Sequence, residues 1–343
     1  MYEVNMKGIK IGVIGSGAVG CILATKLVAN GFDVEYVYDK KTEIEIGGLR
    51  ELNVIGETTP CSQLVHCVAS EDEFSSKKDI IFMVCKSTHM ERHAKLVAQY
   101  LSANGFVVML NNTLCRKTVT PYIDRHKIVG MFIDWSCEKK DDETSIVTKA
   151  GKTMLGIYAD DAKPLAELTC KLLSPIVPTE YLDNFNDVVL GRVILNSAIS
   201  AVGALCGLNL GDFLKEKYGK KLFCRLIEEA YRVYLSTGVT PTDYDGKLDY
   251  SMFCDNKGYR RQIIKLLRKQ NAETWSSIFI DLMNNKSIEA DYLIGTVVKT
   301  GLKNNVDCTF SRAVYNKILE IHENNDTIRV DLLKIIYKGC EKK

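Results

Sequence analysis

The sequence predicts an α/β fold, in which an N-terminal Rossmann domain with a mainly parallel sheet precedes a C-terminal all-helical domain. Three observations predict it. Over the first part of the chain, short β-rich runs alternate with helical patterns, the signature of parallel strands joined by crossover helices. A glycine turn, Gly15-Ser16-Gly17-Ala18-Val19-Gly20, links the first such run to the first helix. From Asn184 onward the composition changes and long helical periodicities take over.

In order, Lys10 to Ile14 reads as a strand, Ala18 to Asn30 as an amphipathic helix and Val34 to Tyr38 as the second strand. Residues 44 to 69 read as short strands and turns punctuated by Gly47, Gly48 and Gly56. Further strands are expected at Asp79 to Cys85, Phe106 to Leu110 and Lys127 to Phe132, with a helix at His89 to Leu101. Ser145 to Thr148 and Thr153 to Ile157, joined through Gly151, read as a hairpin, and a short helix follows from Asp161 to Leu173. Pro175 and Pro178 then break the chain. Helices are expected at 187 to 206, 216 to 237, 257 to 270, 275 to 284, 289 to 304 and 310 to 323. The expected domains are therefore 1–180, dinucleotide-binding, and 181–343, helical.

The bulk numbers narrow the function classes. A length of 343 residues suits two domains, each able to bury a core. With 45 basic and 43 acidic residues the net charge is +2, which supplies no long-range field for nucleic acid or an anionic membrane. A small-molecule partner is the expectation. Twelve cysteines, scattered without a CxxC pair or metal-ligand spacing, fit reduced thiols in cytoplasm and no metal site. The N-terminus lacks the long apolar region of an export signal. Val188 to Leu210, with Arg192 as its only charge, is long enough to span a bilayer. Asn196, Ser197, Ser200 and Asn209 interrupt it, and a lone span would place Arg192 in hydrocarbon, so a buried core helix is expected.

The glycine turn follows an apolar strand and opens a helix, which is the context a dinucleotide site needs. The first glycine permits the tight turn, the second admits the pyrophosphate, and the third lets helix and strand pack closely; Ser16, Ala18 and Val19 offer their backbone to the phosphates. Asp39, at the tip of the second strand, is placed to accept hydrogen bonds from the adenosine ribose. This favours NAD(H); Lys40 and Lys41 keep NADP(H) open. Lys86 and Asn112 end later strands at the same carboxyl edge, where either faces a ligand or merely occupies a turn. In the helical domain Arg192, Asn196 and Ser200 fall four apart on one face of an apolar helix. Polar groups there need partners or an anionic ligand. Glu289 and Asp291 suit a helix start on dipole grounds alone, and Ser277 is unremarkable by itself.

Taken together, these residues resemble the ketopantoate reductase (2-dehydropantoate 2-reductase) family over nearly the whole chain. The blocks are IGVIGSGAVGCILATKLVANGFDV, VVLGRVILNSAISAVGAL and WSSIFIDLMNNKSIEADYLIG. In the last block the separation of Ser277 from Glu289 matches the family. The resemblance implies reduction of a small 2-oxo acid by NAD(P)H, with ketopantoate to pantoate in pantothenate biosynthesis as the leading case. It implies that Lys86 and Asn112 face the cofactor, and that Asn112, Asn196, Ser200, Ser277 and Glu289 line the substrate. It further implies a homodimer formed through the helical domain. Arg192 stands where the family has a catalytic lysine, Ser200 where it has a second asparagine, and Asp39 where NADP-dependent members carry arginine. Arginine is a poor acid, so Arg192, with Asn196, is expected to polarise the ketone rather than protonate it. Glu289 would orient the substrate and balance Arg192. Alternatives are a reductase of another small 2-oxo acid on the same fold, or a nucleotide-binding regulatory protein without catalysis.

Overall fold

A computed structural model describes residues 8–38, 48–111 and 113–342. The chain divides into two compact units: residues up to Asn111 with Cys115–Phe185 form the first, and residues 113–114 with those from Asn186 form the second.

The first unit contains β1 (Lys10–Ile14), α1 (Ala18–Ala29), β2 (Asp33–Val37), β3 (Leu49–Gly56), β4 (Cys61–Val68), β5 (Lys78–Met83), α2 (Ser87–Tyr100) and β6 (Leu101–Leu110). It continues through α3 (Arg116–Val119), β7 (Ile128–Ile133), β8 (Ser136–Lys139), β9 (Thr144–Lys149), β10 (Thr153–Ile157), α4 (Lys163–Leu173) and β11 (Thr179–Tyr181). All the strands join one sheet of order β11-β10-β7-β6-β5-β1-β2-β4-β3-β9-β8. Its centre, β4-β2-β1-β5-β6-β7, is parallel throughout. Where both faces of the sheet are covered a strand reads as an unbroken apolar run, as in β7, where Ile128 to Ile133 is buried at every position.

Two expectations are corrected here. The segments around 145–148 and 153–157 are strands, but they do not form a hairpin. β9 pairs with β3 and β8, whereas β10 pairs with β7 and β11. Only three residues join them across the breadth of the sheet order, so the sheet must curl to bring its two flanks together. Gly151 sits at that crossing, where an added Cβ would lie 2.7 Å from the Asp134 backbone. The real hairpin is β8–β9, closed by the Asp141 side chain, which accepts from Thr144 N–H at 2.6 Å and Glu143 N–H at 3.1 Å. Nor is α1 amphipathic. Every residue from Gly20 to Leu27 is buried, Thr25 and Lys26 included, because β2, β3 and β4 as well as β8 and β9 pack around this helix. Elsewhere in the sheet, Lys78 of β5 pairs with Glu35 of β2 in a buried ion pair. The Glu35 oxygens also accept from Ser75 N–H, at 3.1 and 3.2 Å, and one lies 3.1 Å from His66 Nδ1.

The second unit is built on α5 (Phe185–Cys206), followed by α6 (Leu210–Phe213), α7 (Lys217–Leu235), α8 (Tyr250–Asp255), α9 (Lys257–Gln270) and α10 (Ser277–Met283). A short 3-10 turn (Ala290–Tyr292) then leads into α11 (Ile294–Lys303), α12 (Thr309–Asn324) and α13 (Asp331–Glu341). The helix expected over 289–304 is therefore broken at Leu293, whose ψ of −102° leaves the helical region. Ala198, Ala201, Val202 and Leu205 of α5 are at most 1% exposed and form the centre of the core with Phe223 and Ile227 of α7 and Val314 of α12. α5 is long and apolar enough to cross a membrane, yet 78% of its most apolar window is buried within the fold. That is the pattern of a core helix.

Candidate functional site

The glycine turn leaves β1 at the carboxyl edge of the sheet. Gly15 has φ +129°, and an added Cβ would lie 2.7 Å from the Val84 carbonyl carbon; stereochemistry and space both demand glycine. Gly20 would place a Cβ 1.9 Å from the Gly15 oxygen, so it permits α1 to approach the turn. Gly17 differs from both. It is exposed, has an ordinary φ of −75° as the N-cap of α1, and a Cβ there would meet nothing within 4 Å. The fold thus has no internal need of Gly17, and the open space lies beside the first turn of α1, whose amides have no helical acceptors. Half-buried Ser16, Ala18 and Val19 border it. These residues fit a dinucleotide pyrophosphate: two glycines build the turn and the third leaves room for a ligand.

Along the same edge, Lys86 is exposed at the N-cap position of α2, two residues beyond the Val84 amide that bonds the Ile14 oxygen at 2.8 Å. Asp39 and Asn112, like Lys40 and Lys41, lie outside the described residues. The adjacent Asn111 has a purely structural environment. It is 2% exposed, its amide donates to the Met109 oxygen at 2.6 Å, and its Oδ1 accepts from the Tyr158 hydroxyl at 2.7 Å. Burial pushes the Tyr158 phenol well up, so it stays a neutral donor.

In the second unit, the one-face stripe on α5 is present: Arg192 and Asn196 are half-buried and Ser200 is 7% exposed. Ser200 Oγ lies 3.4 Å from Ser277 Oγ, so two expected substrate residues 77 positions apart come together. The neighbouring Ser276, which the sequence reading passed over, makes this contact possible. Its hydroxyl donates to the Ser200 carbonyl at 2.7 Å and caps α10 by accepting from Phe279 N–H at 2.9 Å. Ser276 is buried while Ser277 is exposed, leaving the second hydroxyl available. Gly203 lets the segments meet, since a Cβ there would lie 2.7 Å from the Ser276 Cβ. Half-buried Glu289 begins the 3-10 turn, its carbonyl accepting from Tyr292 and Leu293 amides at 3.0 and 3.1 Å. Asp291 is engaged elsewhere, with Lys299 at 2.7 Å and Tyr315 at 2.6 Å.

Sequence reasoning also missed what holds the Arg192 end of the stripe. The Thr242 backbone rests on Gly191, where a Cβ would fall 2.0 Å from its oxygen, and Thr242 N–H donates to the Asp187 carbonyl at 3.0 Å. Tyr250, 2% exposed, donates its hydroxyl to the Gly191 carbonyl at 2.5 Å. Burial and then Asp243 push the Tyr250 phenol up, while the Arg192 guanidinium draws it down, so these three groups share one field. A glycine inside an apolar helix was the only sequence signal of this clamp. Among the described residues, no group of three or more His, Cys, Asp or Glu side chains could hold a metal ion.

Residues 11–160 match the family model described as ketopantoate reductase PanE/ApbA, and residues 184–322 match that described as its C terminal. A 2-dehydropantoate 2-reductase of Archaeoglobus fulgidus is 21% identical over 311 residues, covering 90% of this chain and 96% of the relative. The solved PanE/ApbA family ketopantoate reductase from Ralstonia eutropha superposes with a TM-score of 0.77 at 19% identity, over 92% of this chain and 99% of that one. D-mandelate dehydrogenase, solved as a ternary structure with NADH and anilino(oxo)acetate, gives a TM-score of 0.78 at 15% identity, with the same coverage of 92% and 99%. At such identities the solved structures establish the shared fold.

Proposed function

The chain belongs to the ketopantoate reductase family of oxidoreductases, and from that membership we propose that it reduces the C2 ketone of a small 2-oxo acid with NAD(P)H. Ketopantoate, giving pantoate for pantothenate biosynthesis, is the leading substrate. The observation that carries this reading is the stripe Arg192, Asn196 and Ser200 on an otherwise apolar helix, with Ser277 brought against Ser200. A regulatory nucleotide-binding protein has no use for that set. When bound, the nicotinamide supplies the hydride.

The chain's own residues then have distinct tasks. The Gly15–Gly20 turn holds the pyrophosphate, with Gly17 leaving the room it needs. Lys86 and Asn112 face the cofactor, and Asn112 also the substrate. Asp39 accepts from the adenosine ribose, which favours NAD(H) over NADP(H). Ser277 with Ser200 holds the carboxylate. Arg192 and Asn196 stabilise negative charge growing on the ketone oxygen, and Glu289 orients the substrate and balances Arg192. Because arginine keeps its proton, the proton for the new hydroxyl comes from water or a relaying group. A homodimer and a cytoplasmic location complete the proposal.

A second reading, a reductase for a different 2-oxo acid, is favoured by Arg192 and Ser200 and by the fold shared with D-mandelate dehydrogenase. A panel of 2-oxo acids, ketopantoate and aryl 2-oxo acids included, followed by loss of NADH or NADPH absorbance, separates the readings. Fastest turnover of ketopantoate supports the first and of an aryl acid the second. No turnover with any acid and either cofactor removes both.

A further inference from the structure

Beside α1, bordered by Val147 of β9, the first unit contains a partly open cavity of about 120 Å³. Its walls are apolar, formed by Ile22, Leu23, Trp135, Val147, Val177 and Pro178. The Trp135 indole N–H is committed to Thr153 Oγ1 at 3.0 Å, so the tryptophan presents the cavity with its hydrocarbon ring. None of these residues belongs to the glycine turn or to the α5 stripe.

One cation interrupts the apolar lining. Lys26, one turn beyond Ile22, is 7% exposed and its ammonium donates to a single acceptor, the Thr59 carbonyl, at 3.1 Å. Among the described residues no carboxylate lies within ion-pair distance of it. An ammonium has three donors and the protein takes up one of them, so two remain to meet a bound anion. Glu57 also borders the cavity, but from its exposed rim, where its carboxylate accepts from Ala150 N–H at 3.0 Å. This negative charge at the mouth disfavours polyanions, which could pair one charge at most with Lys26.

We propose that this cavity is a binding site for an amphipathic monoanion, a carboxylate or sulfonate head meeting Lys26 and a compact apolar body lying on Trp135, Leu23 and Val177. The head takes up donors the protein leaves unused, and the body covers apolar wall that solvent would otherwise wet. The site is separate from the proposed nucleotide and oxo-acid positions, so it stands whether or not the reductase reading does.

The chain contains two tryptophans, so Trp275→Phe makes Trp135 the sole reporter in the full-length protein. Titration with octanoate should change its fluorescence saturably, with uncharged 1-octanol binding at least roughly tenfold more weakly, the worth of one charge-assisted hydrogen bond. Lys26→Met, which keeps the apolar stem, should weaken octanoate by a similar factor without lowering the melting temperature. Ala150→Phe, an exposed change that narrows the mouth, should weaken it too. Equal binding of octanoate and octanol overturns the proposal, as does unchanged octanoate binding in either variant. Displacement of octanoate by NADH overturns it as well, by placing the acid in the nucleotide groove.

Discussion

Replacing Gly17 and Gly20 separately by alanine should split two properties that a glycine-rich turn usually mixes. At Gly20 the new Cβ would lie 1.9 Å from the Gly15 carbonyl oxygen, a backbone atom held in place by the Gly15 turn at φ +129°. Since neither partner is a flexible side-chain end, α1 must shift, at a cost of about 3 kcal/mol or more. For a unit of this size that lowers the melting temperature by roughly 6–12 °C. At Gly17 the φ of −75° and ψ of 178° suit alanine, and no atom lies within 4 Å of the new Cβ. Losing a glycine cap costs a few tenths to about 1 kcal/mol, and the stiffer unfolded chain returns about 0.4–1 kcal/mol, so the melting temperature should stay within ~3 °C. NADH affinity should nevertheless fall at least tenfold in Gly17→Ala, because the methyl occupies the space the pyrophosphate requires. Thermal unfolding by circular dichroism and NADH titration by fluorescence measure the two quantities. Wild-type NADH affinity in Gly17→Ala, or wild-type melting in Gly20→Ala, would refute the reasoning.

Further expectations concern the second unit and the buried charges. Arg192→Ala should lower kcat by about 10²–10³ with NADH affinity intact, as expected for a group that meets charge developing in the transition state; unaltered turnover would dismiss that role. Ser277→Ala should raise KM for the oxo acid by roughly tenfold, whereas Ser276→Ala should lower the melting temperature, because the buried Ser276 hydroxyl caps α10 and donates to the α5 backbone. Lys78→Met leaves Glu35 buried without its ammonium and should cost about 3–5 kcal/mol in denaturant unfolding near neutral pH. Burial raises the Glu35 pKa, but hydrogen bonds from Lys78 and Ser75 outweigh it and hold the carboxyl below its ordinary value of 4.5. Its contribution is therefore full above that value and lost as pH falls through the depressed one, so the acid limb of the stability profile should flatten in the variant. Asp243 shows the opposite sign: burial, then Asp245 at close range, pushes its carboxyl up to about 6 from 3.8. Its favourable neutral form is complete below 3.8 and lost as pH rises through 6, so Asp243→Asn should stabilise by ~1 kcal/mol at pH 7, after discounting for solvent screening, and by little at pH 4.

Local pattern made much of this fold legible. The strand Lys10–Ile14 and the helix Lys257–Gln270 match their expected bounds, because apolar periodicity and end residues such as Asn256, which caps by accepting from Gly258 and Tyr259 amides, act within a few positions. Partner choice between strands was not legible. Local pattern identified strands at Ser145 to Thr148 and Thr153 to Ile157, but proximity in sequence suggested a hairpin that the curled sheet does not form. The helix expected to be amphipathic over Ala18 to Asn30 is likewise buried nearly all round, Lys26 included. Strands as distant in sequence as β8 and β9, together with β2, β3 and β4, pack around α1 and bury it.

The site shows the same division. The four-residue spacing of Arg192, Asn196 and Ser200 gives one helical face without further information. The structural part of Ser276 was not legible, since it depends on an α5 carbonyl 76 positions away. Tyr250 and Gly191, joined across 59 positions, were invisible for the same reason. The third-glycine logic was legible in principle, but the contrast between a crowded Gly20 and an open Gly17 required coordinates.

Isotope transfer tests the central claim most directly. With NADH carrying deuterium at the transferable nicotinamide C4 position and the best 2-oxo acid from the panel, mass spectrometry of the hydroxy acid should find the label at C2, one deuteron per NADH consumed. A product unlabelled at C2, or cofactor oxidised with the oxo acid left intact, would contradict the account.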